Sequence, residues 1–533
     1  MTRFTALISA IGLLFAVVAA TADGLPLNVR YSTAPEKVRV VLDLPRAVKY
    51  SDQSTPNQVR IALELPLMTA LPEITLTDPV VASITTAPDA EGKALLTISL
   101  NKARKYTVFT LGPQSGKPDR LVVDIIKRFR TEETRALSPA ITCTRLEQQT
   151  DDRYQVVHFV EIDTRDPKVS LNVIAAHGER ERVSAMVGRT GAVLGVNGGY
   201  FMQGTRPVGL LKAGGQLLSM PIWGRTAAAF PKTGAPVFGN PQGAWRVTLP
   251  DGTMRDLPDA FDASVLDPMP GVVVYRGGQL TQVPANPAGL NVLVQNGCVA
   301  SRSCDMVPLA PGDLALRLTG AEVAALDAQL AVGAVVTATP VLTPPWEEFT
   351  TAVGAGPRLL RDGKLAISGS EERFKSDILN GRPARTAIGV TARGTVVLVV
   401  VEAPCSYGGG ATLEDLAGLL KSRGVVDAMN LDGGGSSALA IGAATVNYPA
   451  GAWVRPVASG VLVFDQRLTP PPAPGPAPVP EPAPGPAPAT SEPAPPVPES
   501  IPPAPGPVTP SGEVIVPTTE TAPQPAVDPP PAE

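Results

Sequence analysis

The sequence predicts a multidomain protein with a small all-β N-terminal sandwich, a larger mixed α+β domain and a disordered Pro-rich tail. Three observations lead to this prediction. Apolar and polar residues alternate over the first 130 residues, and glycine-rich turns separate strand-like and helix-like runs up to residue 468. In addition, 26 of the 59 prolines lie beyond residue 468. A chain of 533 residues is also too long for a single hydrophobic core.

Residues 1–22 have the pattern of an export signal. Arg3 supplies a positive charge, residues 7–20 form an apolar run, and Ala20, Thr21 and Ala22 are small residues before a cut. The apolar run is short for a membrane span, and an uncleaved N-terminal anchor stays open as the alternative. We therefore expect a secreted, periplasmic or cell-envelope protein.

The composition excludes several classes of function. The net charge is −4 and only 5% of residues are aromatic, so a basic footprint or stacking platform for nucleic acid is not predicted. The chain has two histidines, His158 and His177, and no CxxC spacing, which makes a zinc site a weak interpretation. We expect no nucleic-acid partner, no metal and no cofactor, although Asp432 with backbone carbonyls leaves calcium open.

Residues 23–130 predict the β sandwich. Val38, Val40, Leu42 and Leu44 fall on one face of a strand, and similar runs follow between Pro and Gly turns. The runs VRVVLDL at 38–44 and DRLVVDI at 119–125 resemble the AMIN domain of bacterial envelope proteins. That resemblance implies a cell-wall polymer as partner, and a generic β module is the alternative.

Residues 131–150 are interpreted as a connector, and residues 151–468 as the larger domain. Its clearest helix follows Thr412, a capping residue with Asp415 three positions on, as in a capping box. Leu413, Leu416 and Leu420 fall on one apolar face of this helix. Strand-like runs at 395–401 and 425–431 flank this helix, which indicates α+β organisation. Residues 469–533 cannot bury enough apolar surface to fold, so a passive spacer is expected, with a proline-binding partner as the alternative.

Three segments of the larger domain combine flexible glycines with polar or charged groups. The first, GVNGGYF at 195–201, ends a strand in Asn197, whose amide can bind a sugar hydroxyl, and in Tyr200, whose ring can stack on a sugar. An ordinary Asn-Gly hairpin turn is the alternative. The second, RPARTAIGV at 382–390, opens a strand with Arg385, which suits phosphate, unless it is a solvated surface arginine.

The third segment, NLDGGGSS at 430–437, delivers Asp432 into a triple-glycine loop. Three consecutive glycines suit backbone N–H groups that surround an anion, and a flexible loop is the alternative. Asp432 is placed to act as a general base, a nucleophile or a metal ligand. The candidate substrate-binding residues of the three segments are Asn197, Gly198, Gly199, Tyr200, Arg385, Thr386, Asn430, Gly433, Gly434, Gly435, Ser436 and Ser437.

In this order, NGGYF, RTAIGV and NLDGGGSSAL resemble the phosphodiester glycosidase family over roughly residues 150–465. The resemblance implies a hydrolase that cleaves a sugar, N-acetylglucosamine or a related one, from a sugar-1-phosphodiester. The substrate would be a glycan or sugar-phosphate of the envelope or of an exopolysaccharide. We expect Asp432 to stabilise an oxocarbenium-like transition state and Glu402, at the end of a neighbouring strand, to be the second carboxylate.

Two other functions stay open at this point. One is a non-catalytic glycan-binding module, and the other is a phosphodiesterase that cuts the P–O bond instead of the glycosidic bond. The four cysteines permit two disulfides in an exported protein. Cys298 and Cys304 are close in sequence and are expected to staple a small loop, whereas Cys143 and Cys405 pair only by elimination and stay undecided.

Overall fold

The computed structural model describes residues 16–20, 26–150, 153–178, 180–202, 207–261, 271–346, 348–405, 408–447 and 454–468. Of the expected export signal, residues 16–20 form a strand that pairs with the strand at 26–33. The rest of that signal and the Pro-rich segment 469–533 lie outside the described residues. No helix among the described ranges is long and apolar enough to cross a membrane.

The N-terminal region is all β, as its alternating pattern predicts. Val38, Val40 and Leu42 are fully buried, because alternate residues of a strand point to the same face. Two five-stranded sheets, with orders β1-β2-β3-β10-β9 and β4-β5-β8-β7-β6, supply the region's apolar core. The strands are β1 (Ala16–Ala20), β2 (Pro26–Thr33), β3 (Lys37–Leu44), β4 (Tyr50–Asp52), β5 (Gln58–Pro66), β6 (Ile74–Thr75), β7 (Val81–Pro88), β8 (Lys93–Leu100), β9 (Tyr106–Leu111) and β10 (Asp119–Ile126).

The stretch 131–150 is a β hairpin, so its interpretation as a connector is wrong. Its strands are β11 (Phe129–Ser138) and β12 (Ile141–Gln149). Strand β11 is an edge strand with mostly exposed side chains, which is why it lacks an apolar signature. The hairpin also contacts the N-terminal region, since Lys105 pairs with Glu147 at 2.7 Å.

The following elements build the first half of the larger domain. They contribute to three different sheets and include one short helix. They are β13 (Tyr154–Asp163), β14 (Val169–Ala175), α1 (Val183–Thr190), β15 (Leu194–Asn197), β16 (Leu211–Ala213), β17 (Gln216–Ser219), β18 (Ala227–Phe230) and β19 (Val237–Gly239).

An inserted module, residues 242–343, follows β19 and was not foreseen from the sequence. Its sheets have the orders β21-β20-β28, β22-β27-β24-β25 and β23-β26, and Val274, Val292 and Leu316 belong to a core of its own. The elements are β20 (Gln242–Thr248), β21 (Met254–Leu257), β22 (Val272–Arg276), β23 (Gln282–Val283), β24 (Gly289–Gln295), β25 (Cys298–Ser303), β26 (Val307–Pro308), β27 (Leu314–Thr319), α2 (Ala321–Leu326) and β28 (Thr337–Thr343).

The chain then returns to the sheets that it left at β19. The remaining helices are short, and the α4 helix has the capping box predicted at Thr412 and Asp415. The elements are β29 (Thr351–Gly354), β30 (Arg358–Arg361), β31 (Lys364–Leu365), α3 (Ser376–Leu379), β32 (Arg385–Thr391), β33 (Thr395–Val401), α4 (Leu413–Ser422), β34 (Val425–Asn430), β35 (Leu439–Ile441), β36 (Ala444–Thr445) and β37 (Ser459–Asp465).

The larger domain is therefore predominantly β, which corrects the expectation of a mixed α+β domain. An eight-stranded sheet of order β11-β12-β13-β33-β32-β34-β30-β31 shares a core with a five-stranded sheet of order β14-β37-β15-β35-β36. Helix α4 packs its leucines on the other face of the eight-stranded sheet. A third sheet, β17-β16-β29-β18-β19, completes the domain. The helix predicted at 413–420 is present, but the described part of the domain has few helices and they are short.

All four cysteines are free, so the expected disulfide between Cys298 and Cys304 is not formed. Cys298 begins strand β25 and Cys304 follows its end. Six residues of extended chain separate the two Cα atoms by about 20 Å, whereas a disulfide requires less than about 7 Å. Proximity in sequence therefore gave the wrong pairing, because the intervening residues form a strand instead of a turn. Cys143 and Cys405 are also unpaired.

Candidate active site

Asn197 joins the two facing sheets at the end of strand β15. Its side chain is fully buried, and its Nδ2 donates to the carbonyl oxygen of Asp432 at 2.7 Å. Its Oδ1 accepts from the Thr386 hydroxyl at 2.8 Å and from the backbone N–H of Ala438 at 3.1 Å. Both the nitrogen and the oxygen of the Asn197 amide bond to protein groups, so Asn197 and Thr386 hold the segments of the site together.

Close packing against neighbouring protein atoms explains why glycines follow Asn197. A Cβ atom on Gly198 would lie 2.4 Å from the Ser459 hydroxyl oxygen, and one on Gly199 would lie 2.3 Å from the carbonyl oxygen of Gly354. The contact at Gly199 is with backbone and excludes any side chain without a backbone shift. At Gly198 the Ser459 side chain would have to rotate, and its carbonyl oxygen would still lie 3.1 Å from the Cβ atom. The sequence pointed to close approach of this backbone to a ligand, whereas the structure shows close approach to neighbouring protein atoms.

Asp432 follows strand β34 and is half-buried. Burial raises the pKa of its carboxyl to about 6, although the nearby Ser436 hydroxyl, the Gly433 N–H and the charge of Arg455 act in the opposite direction. The Gly433 N–H donates to Asp432 Oδ1 at 2.9 Å. A carboxyl with this pKa is mostly ionised at pH 7 and readily protonated one unit lower, which suits acid–base or nucleophilic chemistry.

Most backbone N–H groups of the triple-glycine loop have hydrogen-bond partners within the protein. The Gly434 N–H donates to the Ala384 carbonyl at 2.8 Å, and the N–H groups of Ser436 and Ser437 donate to Gly433 and Gly434 in a 3₁₀ turn. Because these donors already have partners, they do not form the anion cradle that the glycines suggested. The side chains of Ser436 and Ser437 are also buried.

Tyr200 and Asn430 form a polar wall beside Asp432. Asn430 Nδ2 donates to the Tyr200 hydroxyl at 2.8 Å, and that hydroxyl donates to the Gly356 carbonyl at 3.0 Å. Burial and then the negative charge of Asp432 raise the pKa of Tyr200 far above its usual range. Tyr200 is therefore a neutral hydrogen-bonding group at every physiological pH.

Arg385 is buried beneath the loop. Its Nε donates to the Ala411 carbonyl and its Nη1 to the Ile378 carbonyl, both at 3.0 Å. Among the described residues, its Nη2 has no hydrogen-bond partner and its charge has no ion pair. Burial lowers the pKa of this guanidinium. Arg385 thus supplies a positive field near Gly433, since its Cδ lies 3.8 Å from the position that a Cβ atom on Gly433 would occupy.

Arg455, which no motif indicated, is exposed and covers the same loop. Its guanidinium lies 2.9 Å from the position that a Cβ atom on Gly435 would occupy. It is close enough to Asp432 to lower the pKa of that carboxyl. An accessible guanidinium next to the candidate carboxylate is suited to an anionic substrate group. Arg455 is 23 residues from Asp432 in sequence, and only the packing of β37 beside β15 brings them together.

A second unforeseen arginine, Arg225, lies behind Tyr200. Its guanidinium carbon is 4.1 Å from the centroid of the Phe374 ring, 5.0 Å from that of Trp223 and 5.9 Å from that of Tyr200. Burial lowers its pKa. The aromatic side chains around this cation stabilise it and fix the Tyr200 ring.

Glu402 follows strand β33, as predicted, and forms a pair with a histidine. Glu402 Oε1 is 2.7 Å from His158 Nε2, and both side chains are largely buried. Strands β33 and β34 are both antiparallel to β32, so they run in the same direction and end at the same sheet edge. One strand separates them, which puts the backbones of Glu402 and Asp432 about 10 Å apart. No hydrogen bond among the described residues joins the two carboxylates.

The sequence model of one family, described as phosphodiester glycosidase, matches residues 190–464, which is more than half of the chain. The chain belongs to the phosphodiester glycosidase family. The matched range of this phosphodiester glycosidase domain starts just before strand β15 and ends within β37, and it contains Asn197, Arg385, Glu402, Asp432 and Arg455.

Solved structures give a fold-level likeness for this family member. A crystal structure of a hypothetical protein from Synechocystis is 22% identical, covers 82% of this chain and 79% of its own, and has a TM-score of 0.56. It supports a shared fold only. No curated protein gave a significant match.

Two further solved structures have TM-scores under 0.5. A Burkholderia pseudomallei protein, classed as a candidate exported protein, is 18% identical over 79% of this chain and 98% of its own, with a TM-score of 0.48. The catalytic domain of zebrafish N-acetylglucosamine-1-phosphodiester alpha-N-acetylglucosaminidase, auto-inhibited by its pro-peptide, is 16% identical over 68% of this chain and 89% of its own. Its TM-score is 0.32.

Proposed function

We propose that the protein is an exported hydrolase that cleaves the glycosidic bond of a sugar-1-phosphodiester. The observation that carries this proposal is Asp432, a half-buried carboxyl with a pKa of about 6 that lies beside an exposed guanidinium, Arg455. Membership of the phosphodiester glycosidase family supports the same reaction class.

The proposed reaction begins with Asp432 ionised. As the bond between the anomeric carbon and the phosphate oxygen lengthens, positive charge develops on the sugar ring, and a carboxylate stabilises it. The negative phosphate departs toward Arg455, with the field of Arg385 below the loop. The leaving group is a phosphate monoester, which is stable as an anion, so protonation by a strong general acid is not required.

Glu402 is proposed to be the second carboxylate of the reaction, acting on the water that attacks the anomeric carbon. Its position at the same sheet edge as Asp432 supports this role. Its backbone lies about 10 Å from that of Asp432, and two carboxylates that flank one sugar ring are the usual arrangement in glycosidases.

The substrate is proposed to be an N-acetylglucosamine-like sugar phosphodiester of the cell envelope or of an exopolysaccharide. The half-buried Tyr200, whose hydroxyl is held by the buried Asn430, offers the sugar a flat ring face. The all-β N-terminal region is proposed to bind a cell-wall polymer in the manner of an AMIN domain, which its two quoted sequence runs resemble. A periplasmic or secreted location is proposed from the sequence pattern of residues 1–22, which is typical of an export signal.

The proposal is tested by incubating the full chain with methyl N-acetylglucosamine-1-phosphate and analysing the products. Reducing sugar together with methyl phosphate is expected from the wild type and not from Asp432→Asn. In water labelled with heavy oxygen, glycosidic C–O cleavage puts the label in the reducing sugar. Label in methyl phosphate, or N-acetylglucosamine-1-phosphate with methanol, would instead show P–O cleavage. If several sugar phosphodiesters bind without any product, the protein is a glycan-binding module and the proposed activity is wrong.

A further inference from the structure

A cavity of about 360 Å³ lies at the seam between the inserted module and the central sheets. We call it the seam cavity. Its volume lies within the range of small-molecule sites in proteins. Eight of the residues that line it are small or aliphatic and belong to the region of the central sheets. The other four form a turn of the inserted module. The lining residues are Ala175, Ala176, Gly178, Pro207, Leu211, Leu217, Leu218 and Ala458, with Arg276, Gly277, Gly278 and Gln279.

Two of the residues that line the seam cavity, Ala458 and Pro207, lie next to segments of the candidate active site. Ala458 precedes Ser459, whose carbonyl accepts the Gly198 N–H at 2.8 Å, and the Gly198 carbonyl in turn accepts the Asp432 N–H at 3.1 Å. Pro207, another residue that lines the cavity, forms a β-bridge with Phe201, the residue after Tyr200. Two such backbone spacings put Asp432 about 10 Å from the cavity wall, which is the length of roughly two sugar units.

The turn of the inserted module is docked by its own polar groups. Arg276 Nη1 and Nη2 donate to the carbonyls of Leu217 and Leu218 at 3.2 and 3.0 Å, and Gln279 Nε2 donates to Leu218 at 2.7 Å. Gly277 lies so close to the Ala310 carbonyl that a Cβ atom would be 1.8 Å away. The turn is therefore held firmly, and the space beside it is a fixed feature of the fold.

Arg276 is the one charged side chain among the described residues that line the seam cavity. Its Nε–H is buried and has no hydrogen-bond partner within the described chain. No ion pair joins it to a carboxylate there, although the negative charge of Asp259, which accepts from Trp245 Nε1 at 2.9 Å, acts on it. Its other side is covered by the Trp245 ring, whose centroid is 5.6 Å from the guanidinium carbon. Each Nη carries two N–H groups and gives one to Leu217 or Leu218. The remaining N–H groups, on the one charged side chain of the lining, favour a negatively charged occupant.

We infer that the seam cavity binds a negatively charged group of the glycan chain next to the bond that is cleaved. The substrate class is then an anionic glycan polymer, with Arg276 as a specificity-determining residue. This inference rests on the proposed function. The charged group is a phosphate of the next repeat or the carboxylate of a uronic acid, which have the same recognition chemistry.

The test compares kcat/KM for four probes with the full chain. The first is methyl N-acetylglucosamine-1-phosphate, and the second is extended by a neutral disaccharide. The third and fourth are of the same length as the second, with a further phosphodiester or a uronic acid. The wild type is expected to prefer one or both charged probes over the neutral one by about tenfold, and the preferred probe identifies the charged group.

Arg276→Gln is expected to reduce that preference at least fivefold. Arg317→Gln removes the same charge from the same module outside the cavity, and it is expected to keep the preference. If Arg276→Gln does not fold, Ala458→Leu, which fills the cavity, is expected to reduce kcat/KM for both extended probes relative to the methyl probe. Equal kcat/KM for charged and neutral probes in the wild type overturns the inference, whereas no cleavage of any probe overturns the proposed function.

Discussion

Asn197 Nδ2 donates to the backbone carbonyl of Asp432 at 2.7 Å, although the two residues are 235 positions apart in sequence. The same amide accepts from Thr386 on a third strand. One buried side chain thus ties the first, second and third sequence motifs to one another. The order of the motifs along the chain gave no indication that Asn197 would contact protein on every side.

Replacing Asn197 by Ala is expected to lower the free energy of unfolding by about 2–5 kcal/mol, because several buried groups lose their partners together. Thr386→Val removes only one of these hydrogen bonds and is expected to cost about 1–2 kcal/mol. Chemical denaturation measures both values. A fully stable Asn197→Ala variant with weakened substrate binding would instead make Asn197 a direct substrate ligand.

Asp432→Asn is expected to abolish turnover and to raise thermal stability at neutral pH. Folding raises the pKa of this carboxyl from 3.8 to about 6, so the folded state binds the proton more tightly than the unfolded state. Keeping the group ionised at pH 7 therefore costs up to about 3 kcal/mol of stability. The gain in melting temperature should appear at pH 7.5, shrink as the pH falls through about 6 and be lost only below 3.8, where both states are protonated. An equal gain at pH 7.5 and below pH 3.8 would contradict the raised pKa.

The same carboxyl predicts the pH dependence of activity. Asp432 must be ionised to stabilise positive charge, so kcat/KM is expected to fall as the pH drops through about 6. A pH–rate profile between 4.5 and 8 measures this limb. A profile that is flat across pH 6 would assign the chemistry to another group.

Arg455→Gln is expected to raise KM for a phosphodiester substrate about tenfold, because an exposed guanidinium beside Asp432 is lost. Arg393→Gln, which removes an exposed charge from the turn between β32 and β33, serves as the matched control. Gly435→Ala offers an independent test, since its Cβ would displace the Arg455 guanidinium. The two changes combined should then have no more effect than either one alone.

Glu402→Gln is expected to reduce kcat at least 100-fold with little change in KM, if Glu402 acts on the attacking water. His158→Gln keeps a donor for Glu402 and should lose less activity than His158→Ala. Steady-state kinetics of the three variants decides the matter. Loss of folding in Glu402→Gln, shown by circular dichroism, would make the pair a structural one.

Deleting residues 470–533 is expected to leave kcat, KM and melting temperature unchanged, because the Pro-rich sequence has no apolar core to lose. The comparison is made between the full chain and the shortened chain under the same conditions. A drop in melting temperature would show that the segment binds the folded part.

The features that followed from the sequence are those encoded by neighbouring residues. Alternation in 38–44 predicted a half-buried strand, and the Thr412 capping box predicted where helix α4 begins. The three polar segments predicted which parts of the chain would meet. Each of these signals depends on a local period or on a short-range hydrogen bond, which the sequence displays directly.

The tertiary structure alone decided how those segments are used. It turned Asn197 inward, paired Glu402 with His158, placed Arg455 on Gly435, and showed that 131–150 is a hairpin and 242–343 a separate module. These relations join residues that are distant in sequence, and they follow from sheet order and from the packing of one sheet on another. A polar side chain has the same local signal whether it faces substrate or a neighbouring strand, because its partner is chosen only when the sheets assemble.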